Sequence, residues 1–136
     1  MSGSGNSVWL MQGAAVAGGA ALGALCRWIA GVYLNSSYAG FPLGTLLVNL
    51  VGGLLIGMAL EWFGRTPDEF LRLLLVTGFL GGLTTFSAFS GESLGLLQRG
   101  EMGLALLHSG LHVLGSLAAA FAGLRLMRAI LGPLLT

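Results

Sequence analysis

Polar side chains recur at one-turn spacing within otherwise apolar stretches of this chain. Thr45 and Asn49 lie four residues apart. In a later stretch, His108, His112 and Ser116 follow the same spacing. Residues four apart share one face of a helix, and amide, imidazole and hydroxyl groups all donate hydrogen bonds. The face with the two histidines therefore predicts a hydrogen-bonding polar track along a pore, and the Asn49 amide must hydrogen-bond to another group within the span.

Other chemistry fits parts of the same pattern. Two histidines four residues apart can bind a metal ion, but neither a third ligand of the usual kind nor an HExxH motif accompanies His108 and His112. Contacts between helices are a further use for these imidazoles and for the Asn49 amide. Glu92 lies in a third apolar stretch, and the sequence does not indicate its role.

The stretch GFLGGLTTFSAFSGES (78–93) is a poor helix interior. Glycine costs about 1 kcal/mol relative to alanine in a helix, and threonine loses rotamer freedom there. We therefore expect the helix to break between Gly81 and Thr84. Inside a bilayer such a break survives only within protein or beside a cavity. The carbonyls that it frees suit a small cation, and the freed amides suit an anion.

Three further side chains could act on an ion near this track. Phe86 and Phe89 lie three residues apart after the expected break, and the electropositive edge of an aromatic ring can border an anion. Ordinary packing is the alternative for both rings. Arg27 shares a small-residue face with Gly19 and Gly23, so it is a candidate vestibule charge. The alternative is that Arg27 extends to the membrane interface.

Composition identifies the elements that must position these groups as membrane helices. Of the 136 residues, 55% are hydrophobic and only 8% are charged, whereas soluble domains carry about 25% charged residues. Mean hydropathy is +0.89. The net charge of +1 and the lack of a basic patch exclude an electrostatic nucleic-acid binder. No catalytic set of residues is present, so we do not expect an enzyme.

Four segments are long enough to cross a bilayer, which takes about 20 residues. We expect one all-α domain over residues 1–136, with spans at about 8–34, 41–63, 71–97 and 102–127. The first apolar run has no Lys or Arg before it, so we expect it to be a span and not a signal peptide. Several small-xxx-small pairs predict close helix packing: Gly19/Gly23, Gly53/Gly57, Gly78/Gly82 and Gly91/Gly95.

The distribution of arginine gives little orientation preference. One side of the membrane would hold Arg65, Arg72, Arg125 and Arg128, and the other side Arg99 and Arg27. The chain has no lysine. Because Lys and Arg bias sets orientation, insertion in both directions is expected, and two opposed copies could pair about an axis in the membrane plane.

Three motifs together resemble the Fluc (CrcB) family of fluoride channels: LGALCRW (22–28), GTLLVNLVGG (44–53) and GFLGGLTTFSAFS in the third span. The resemblance implies an antiparallel, dual-topology homodimer in the cell membrane, with two passive fluoride pores that are each lined by both subunits. It implies a bacterial inner-membrane location. A small multidrug-resistance-type exporter of cations is the alternative, although the first span lacks the carboxylate that such an exporter needs.

The resemblance also assigns roles to individual positions. Membrane lipid, fluoride and a second copy of the chain are the implied partners. The implied pore residues are Thr45, Asn49, Phe86, Phe89, His108, His112 and Ser116. Backbone carbonyls of Gly81 and Thr84 from both subunits would hold a structural Na⁺ ion. Family members often carry Tyr and Ser where this chain has His108 and His112, and imidazole can donate a hydrogen bond in either protonation state.

Overall fold

The computed structural model describes residues 3–35 and 40–133, and within these ranges every regular element is a helix. Four helical segments are long and apolar enough to cross a membrane. They run over Asn6–Leu34, Leu43–Arg65, Glu69–Gln98 and Met102–Leu131. These findings confirm the expected all-α membrane fold. Most of the connection between the first two spans, residues 36–39, lies outside the described part.

The first two spans are continuous helices. Helix α1 covers Gly3–Leu34 and α2 covers Leu43–Arg65. Pro42 stands at the N-cap of α2, where its missing N–H removes no helical hydrogen bond. At the other end of α2, Glu61 pairs with Arg65 at 2.6 Å and with Arg128 of the last span at 3.0 Å. The pair with Arg128 connects the second and fourth spans at one end.

The third span is interrupted, as expected, but a few residues later than expected. Helix α3 starts with Glu69–Arg72, continues as a π-helical Leu73–Leu80 and ends with Gly81–Leu83. Thr84 and Thr85 are extended, with ψ of 155° and 121°. Helix α4 then covers Phe86–Gln98.

The expectation that Gly81 begins the break is therefore wrong. Gly81 is right-handed helical, with φ −62° and ψ −35°. The neighbouring Gly82 packs directly on the backbone of Ala20 in α1, where a Cβ would collide with it. Glycine at position 82 thus serves close packing of α3 on α1, and the threonines form the interruption.

The fourth span, helix α5, has a π-helical segment in its middle. It starts with Met102–Gly110, continues as Leu111–Gly115 in π geometry and ends with Ser116–Leu131. π-helical turns inside α-helices are frequent at functional sites. The π-helical segment carries His112 and follows His108 by three residues.

Glycines set the two closest helix contacts. Gly57 of α2 lies against the backbone of Ala120, and Gly123 of α5 lies against the backbone of Leu54. Gly19 of α1 faces the backbone of α3 in the same way. Three of the four expected small-residue pairs therefore lie in helix contacts, as small side chains in membranes permit.

The fourth pair, Gly91 and Gly95 in α4, does not contact another helix of the described chain. A Cβ at Gly91 would meet no atom within 4 Å, and one at Gly95 would meet only the Arg99 side chain at 3.6 Å. Close helix packing at this pair, which could also be with a second copy, stays a prediction.

Candidate functional site

The side chain of Asn49 satisfies the backbone at the interruption of the third span. Its Oδ1 accepts a hydrogen bond from Thr85 N–H at 2.9 Å, and its Nδ2 donates to Thr85 O at 3.1 Å. An extended residue directs its own N–H and C=O to one side, so a single amide can pair with both. An unpaired backbone group costs several kcal/mol in lipid. The pairing therefore supplies partners that the stopped helix no longer provides.

The same amide reaches the fourth span. Asn49 Nδ2 lies 3.0 Å from Nδ1 of His112, whose side chain is only 4% exposed. The other ring nitrogen of His112, Nε2, is buried and has no hydrogen-bond partner among the described residues. Asn49 thus connects the interruption in the third span to a buried imidazole in α5.

A second polar group joins α2, α4 and α5 nearer the end of the bundle. Thr45 donates its hydroxyl to Glu92 Oε1 at 2.6 Å. The other carboxylate oxygen, Oε2, lies 3.4 Å from Nε2 of His108, a residue with no exposed surface. Ser93 Oγ lies 2.9 Å from the remaining ring nitrogen of His108. Thr45 thus satisfies Oε1 of Glu92, whereas Oε2 of Glu92 and Nε2 of His108 have no hydrogen-bond partner among the described residues.

Asn35 extends this polar track toward the connection between the first two spans. Its Oδ1 accepts from Gly44 N–H at 2.7 Å, and its Nδ2 donates to Thr45 Oγ1 at 3.2 Å. Sequence analysis did not identify Asn35, because an asparagine just after an apolar run is typical of a loop. Sequence analysis named Glu92 but assigned it no role, because its partners lie far away in the sequence.

Aromatic rings cover one side of the two imidazoles. Phe89 stacks on His112 with ring centroids 4.8 Å apart and on His108 at 5.6 Å. Phe86 meets Phe89 edge-on at 5.3 Å. The two phenylalanines thus lie on one side of α4, as their spacing predicts, but Phe86 is 77% exposed in the single chain. Phe41 contacts His108 edge-on at 5.3 Å.

Two cavities flank the buried imidazoles. One, of about 670 Å³, lies beside the interruption, and the other, of about 310 Å³, lies toward the end of the bundle. The first is lined by residues that include Asn49, Thr85, Phe86, Phe89, His112 and Ser116. The second is lined by residues that include Asn35, Glu92 and Arg99. The side chains of Glu92, His108 and His112 meet between these cavities.

These three side chains also satisfy the simplest requirement of a metal site. Glu92, His108 and His112 each offer one ligand atom, and these atoms lie within 4.8 Å of one another. The statement that no third ligand accompanies the two histidines is therefore wrong, because the fold brings Glu92 to them. Zinc needs three or four such ligands at about 2.0–2.2 Å from the ion. The ligand count fits, so the positions of the protons on the two imidazoles decide whether an ion can bind.

Arg27 lies at the interruption and does not extend away from it. Its Nε donates to Gly82 O at 3.0 Å. In a continuous helix Gly82 O would accept from the amide of Phe86, which lies beyond the extended threonines. A cation at the carboxyl end of a helix is favourable. Arg27 therefore stabilises the end of α3.

Comparisons with known proteins identify the family. The profile of the family described as "CrcB-like protein, Camphor Resistance (CrcB)" matches residues 14–124. The chain belongs to the CrcB family. A relative from Aromatoleum aromaticum, named "Fluoride-specific ion channel FluC", is 55% identical over 111 residues, which cover 80% of this chain and 85% of the relative.

Two further relatives of this CrcB chain carry the same name. One, from Bordetella petrii, is 56% identical over 112 residues, with coverage of 81% and 86%. The other, from Pseudomonas aeruginosa, is 52% identical over 120 residues, with coverage of 87% and 94%. The matched segment contains every polar-track residue from Asn35 to Ser116. With its four spans, the CrcB chain is a multi-pass membrane protein.

Proposed function

We propose that this protein is a passive fluoride channel of the bacterial inner membrane. The observation that carries the proposal is the buried polar track between two cavities, which runs across three of the four spans. Fluoride is small and strongly hydrated, so a pore must replace its water with hydrogen-bond donors. Binding must also stay weak enough for the ion to leave. The relatives are named as fluoride-specific ion channels and not as enzymes.

The track offers donors with little fixed positive charge. His112 and Ser116 line the larger cavity beside Asn49, whose amide holds the imidazole, and Thr45, farther toward the end of the bundle, donates its hydroxyl to Glu92. Phe86 and Phe89 line the same cavity, and their ring edges would border the ion. Arg27 would add positive potential close to the interruption without standing in the path, since its Nε is bonded to a carbonyl.

The channel would work as an antiparallel homodimer with two pores. Phe86 is 77% exposed although it lines the cavity, so a second copy is needed to enclose the path on that side. Gly91, which contacts no other helix in this chain, lies on the same helix. Opposed copies would pair through α4 about an axis in the membrane plane, as closed two-fold symmetry requires.

A structural Na⁺ ion would bind where the two interruptions meet. In a continuous helix Gly81 O would accept from Thr85 N–H, but this amide donates to Asn49. Gly81 is exposed in the single chain. Once a second copy buries it, its carbonyl needs a partner. The carbonyls of Gly81 and Thr84 from both subunits would then form the sodium site. Density for an ion between the subunits in an experimental structure tests this; a continuous, dry interface there contradicts it.

The rival assignment, a dual-topology exporter of organic cations, requires an accessible membrane carboxylate. The described part of the first span contains none, and the carboxylate in the third span, Glu92, is bonded to Thr45 and faces His108. A carboxylate held by these partners is poorly placed to exchange a proton for a drug.

Efflux from liposomes tests the proposed function. Purified protein should release fluoride, but neither chloride nor a lipophilic cation. Asn49→Ala should reduce fluoride efflux while the dimer persists in size-exclusion chromatography. Cation release by the wild-type protein, or efflux unaffected by a well-folded Asn49→Ala variant, contradicts the proposal.

A further inference from the structure

We infer that Asn49 fixes the tautomer of His112, so that the cluster Glu92–His108–His112 presents an N–H donor to an anion and does not bind a transition metal. The anion is fluoride if the proposed function holds, and only that step rests on it. The tautomer itself follows from three hydrogen bonds, whose directions are set in turn by the backbone.

The backbone of Thr85 fixes the orientation of the Asn49 amide. A peptide N–H can only donate and a peptide C=O can only accept. The atom of Asn49 that lies 2.9 Å from Thr85 N must therefore be Oδ1, and the atom 3.1 Å from Thr85 O must be Nδ2. A flipped amide would lose both hydrogen bonds.

The amide then fixes the imidazole. Nδ2 has two hydrogens; one is donated to Thr85 O, and the other is directed at His112 Nδ1, 3.0 Å away. Because Nδ2 cannot accept, Nδ1 of His112 must carry the lone pair. In a neutral imidazole the proton then lies on Nε2. Nε2 is buried and without a partner among the described residues, so it is a donor available to a small acceptor.

The same proton position opposes a metal ion. A histidine that binds a metal through Nε2 carries its proton on Nδ1 and donates it to a carboxylate, carbonyl or water. Here that proton would face the N–H of Asn49. The cluster therefore lacks the third ligand in usable form, although the ligand atoms of Glu92, His108 and His112 are within 4.8 Å.

His108 is not constrained in this way. Its Nδ1 lies 2.9 Å from Ser93 Oγ, and a hydroxyl can donate or accept. Its Nε2 lies 3.4 Å from Glu92 Oε2. The two histidines thus differ: the backbone determines the proton position in His112, whereas His108 can adapt to Glu92.

Nitrogen NMR on the wild-type dimer tests the tautomer without any flux measurement. The chain has only two histidines, so ¹⁵N-histidine labelling gives few signals, and a His108→Gln variant assigns them. We expect a protonated Nε2 and an unprotonated Nδ1 for His112. A protonated Nδ1 in the wild-type protein overturns the inference, whether or not the protein conducts fluoride.

Asn49→Asp provides a gain-of-function test with zinc as the probe. A carboxylate at this position can accept from Nδ1–H, which frees the lone pair on Nε2 for a metal. Outer-shell partners change metal affinity by about 10–100-fold, so we expect Zn²⁺ to bind the variant at least about tenfold more tightly than the wild type in calorimetry. Adding Glu92→Gln should remove this gain.

Two outcomes would contradict the inference: stoichiometric, tight Zn²⁺ binding by the wild type, or equal affinity in the wild type and a folded Asn49→Asp variant. If Asn49→Asp does not fold, the wild-type NMR and zinc measurements still decide the question. If the wild type shows the expected tautomer but no fluoride efflux, the proposed function fails and the tautomer assignment stands.

Discussion

At the residue scale, Phe86 and Phe89 have different surroundings although they contact each other. Phe89 stacks on both imidazoles, whereas Phe86 is 77% exposed in the single chain. Replacing either ring with Ile should cost about 1.5 kcal/mol or less of stability, because apolar volume is nearly conserved. Ring contacts are worth about 0.5–1.5 kcal/mol, so fluoride efflux should fall by up to about tenfold. Normal efflux through folded Phe86→Ile and Phe89→Ile variants would make both rings packing residues only.

His112 permits a second residue-scale prediction. In His112→Gln the side-chain amide nitrogen can occupy the region of Nε2 and donate, whereas His112→Met fills similar space without a donor. We expect His112→Met to lose most fluoride efflux and His112→Gln to retain a larger share. Thermal unfolding in detergent serves as the stability control. Equal efflux in the two variants, at similar stability, would show that the donor at this position is not used.

Much of the candidate site could be predicted from the sequence, because helical spacing shows which residues share a face. Thr45 with Asn49, and His108 with His112, were found in this way. The connections between these pairs could not be predicted. Thr45 and Glu92 are 47 residues apart, and Asn49 and Thr85 are 36 apart, so each contact depends on how the spans pack.

At the element scale, the interruption of the third span shows how local propensity and packing compete. Weak helix formers indicated that a break would occur, and the break is present. Its position was missed because Gly82 packs on the backbone of α1 and remains helical. Asn49 provides the hydrogen bonds that make Thr85 the stopping point. Propensity therefore indicated the break, and tertiary contacts decided its position.

The contact of α2 with α5 gives an element-scale prediction. At Gly57 a Cβ would collide with the backbone of Ala120, whereas at Gly64 of the same helix it would meet no atom within 4 Å. Gly57→Ala should lose about 1–3 kcal/mol of stability through overpacking. Gly64→Ala should be neutral or slightly stabilising, because alanine favours a helix. Unfolding in mixed micelles measures both; equal stability of the two variants would contradict the tight α2–α5 contact.

At the scale of the whole molecule, the single chain leaves the proposed pore open on one side. Phe86 lines the cavity and yet is exposed, and Gly81 beside the interruption is exposed as well. A second copy would cover both. Because arginines are split between the two sides with a weak bias, we expect the same chain to insert in both directions, and opposed copies would then be available to pair.

The last prediction concerns this dual orientation. Pro67 lies in the connection between the second and third spans, and Met102, 59% exposed, begins the fourth span at the opposite end of the third. With Cys26 replaced by Ala, a single cysteine is placed at either position and labelled from outside with a membrane-impermeant maleimide. If copies insert equally both ways, as an antiparallel two-fold pair requires, about half of the copies should be tagged at each position.

A fixed orientation predicts full labelling at one position and none at the other, because the two connections lie on opposite sides of the membrane. Permeabilised vesicles, in which both cysteines should react fully, show that the sites are accessible. Labelling of all copies at one position and none at the other would therefore exclude the antiparallel dimer.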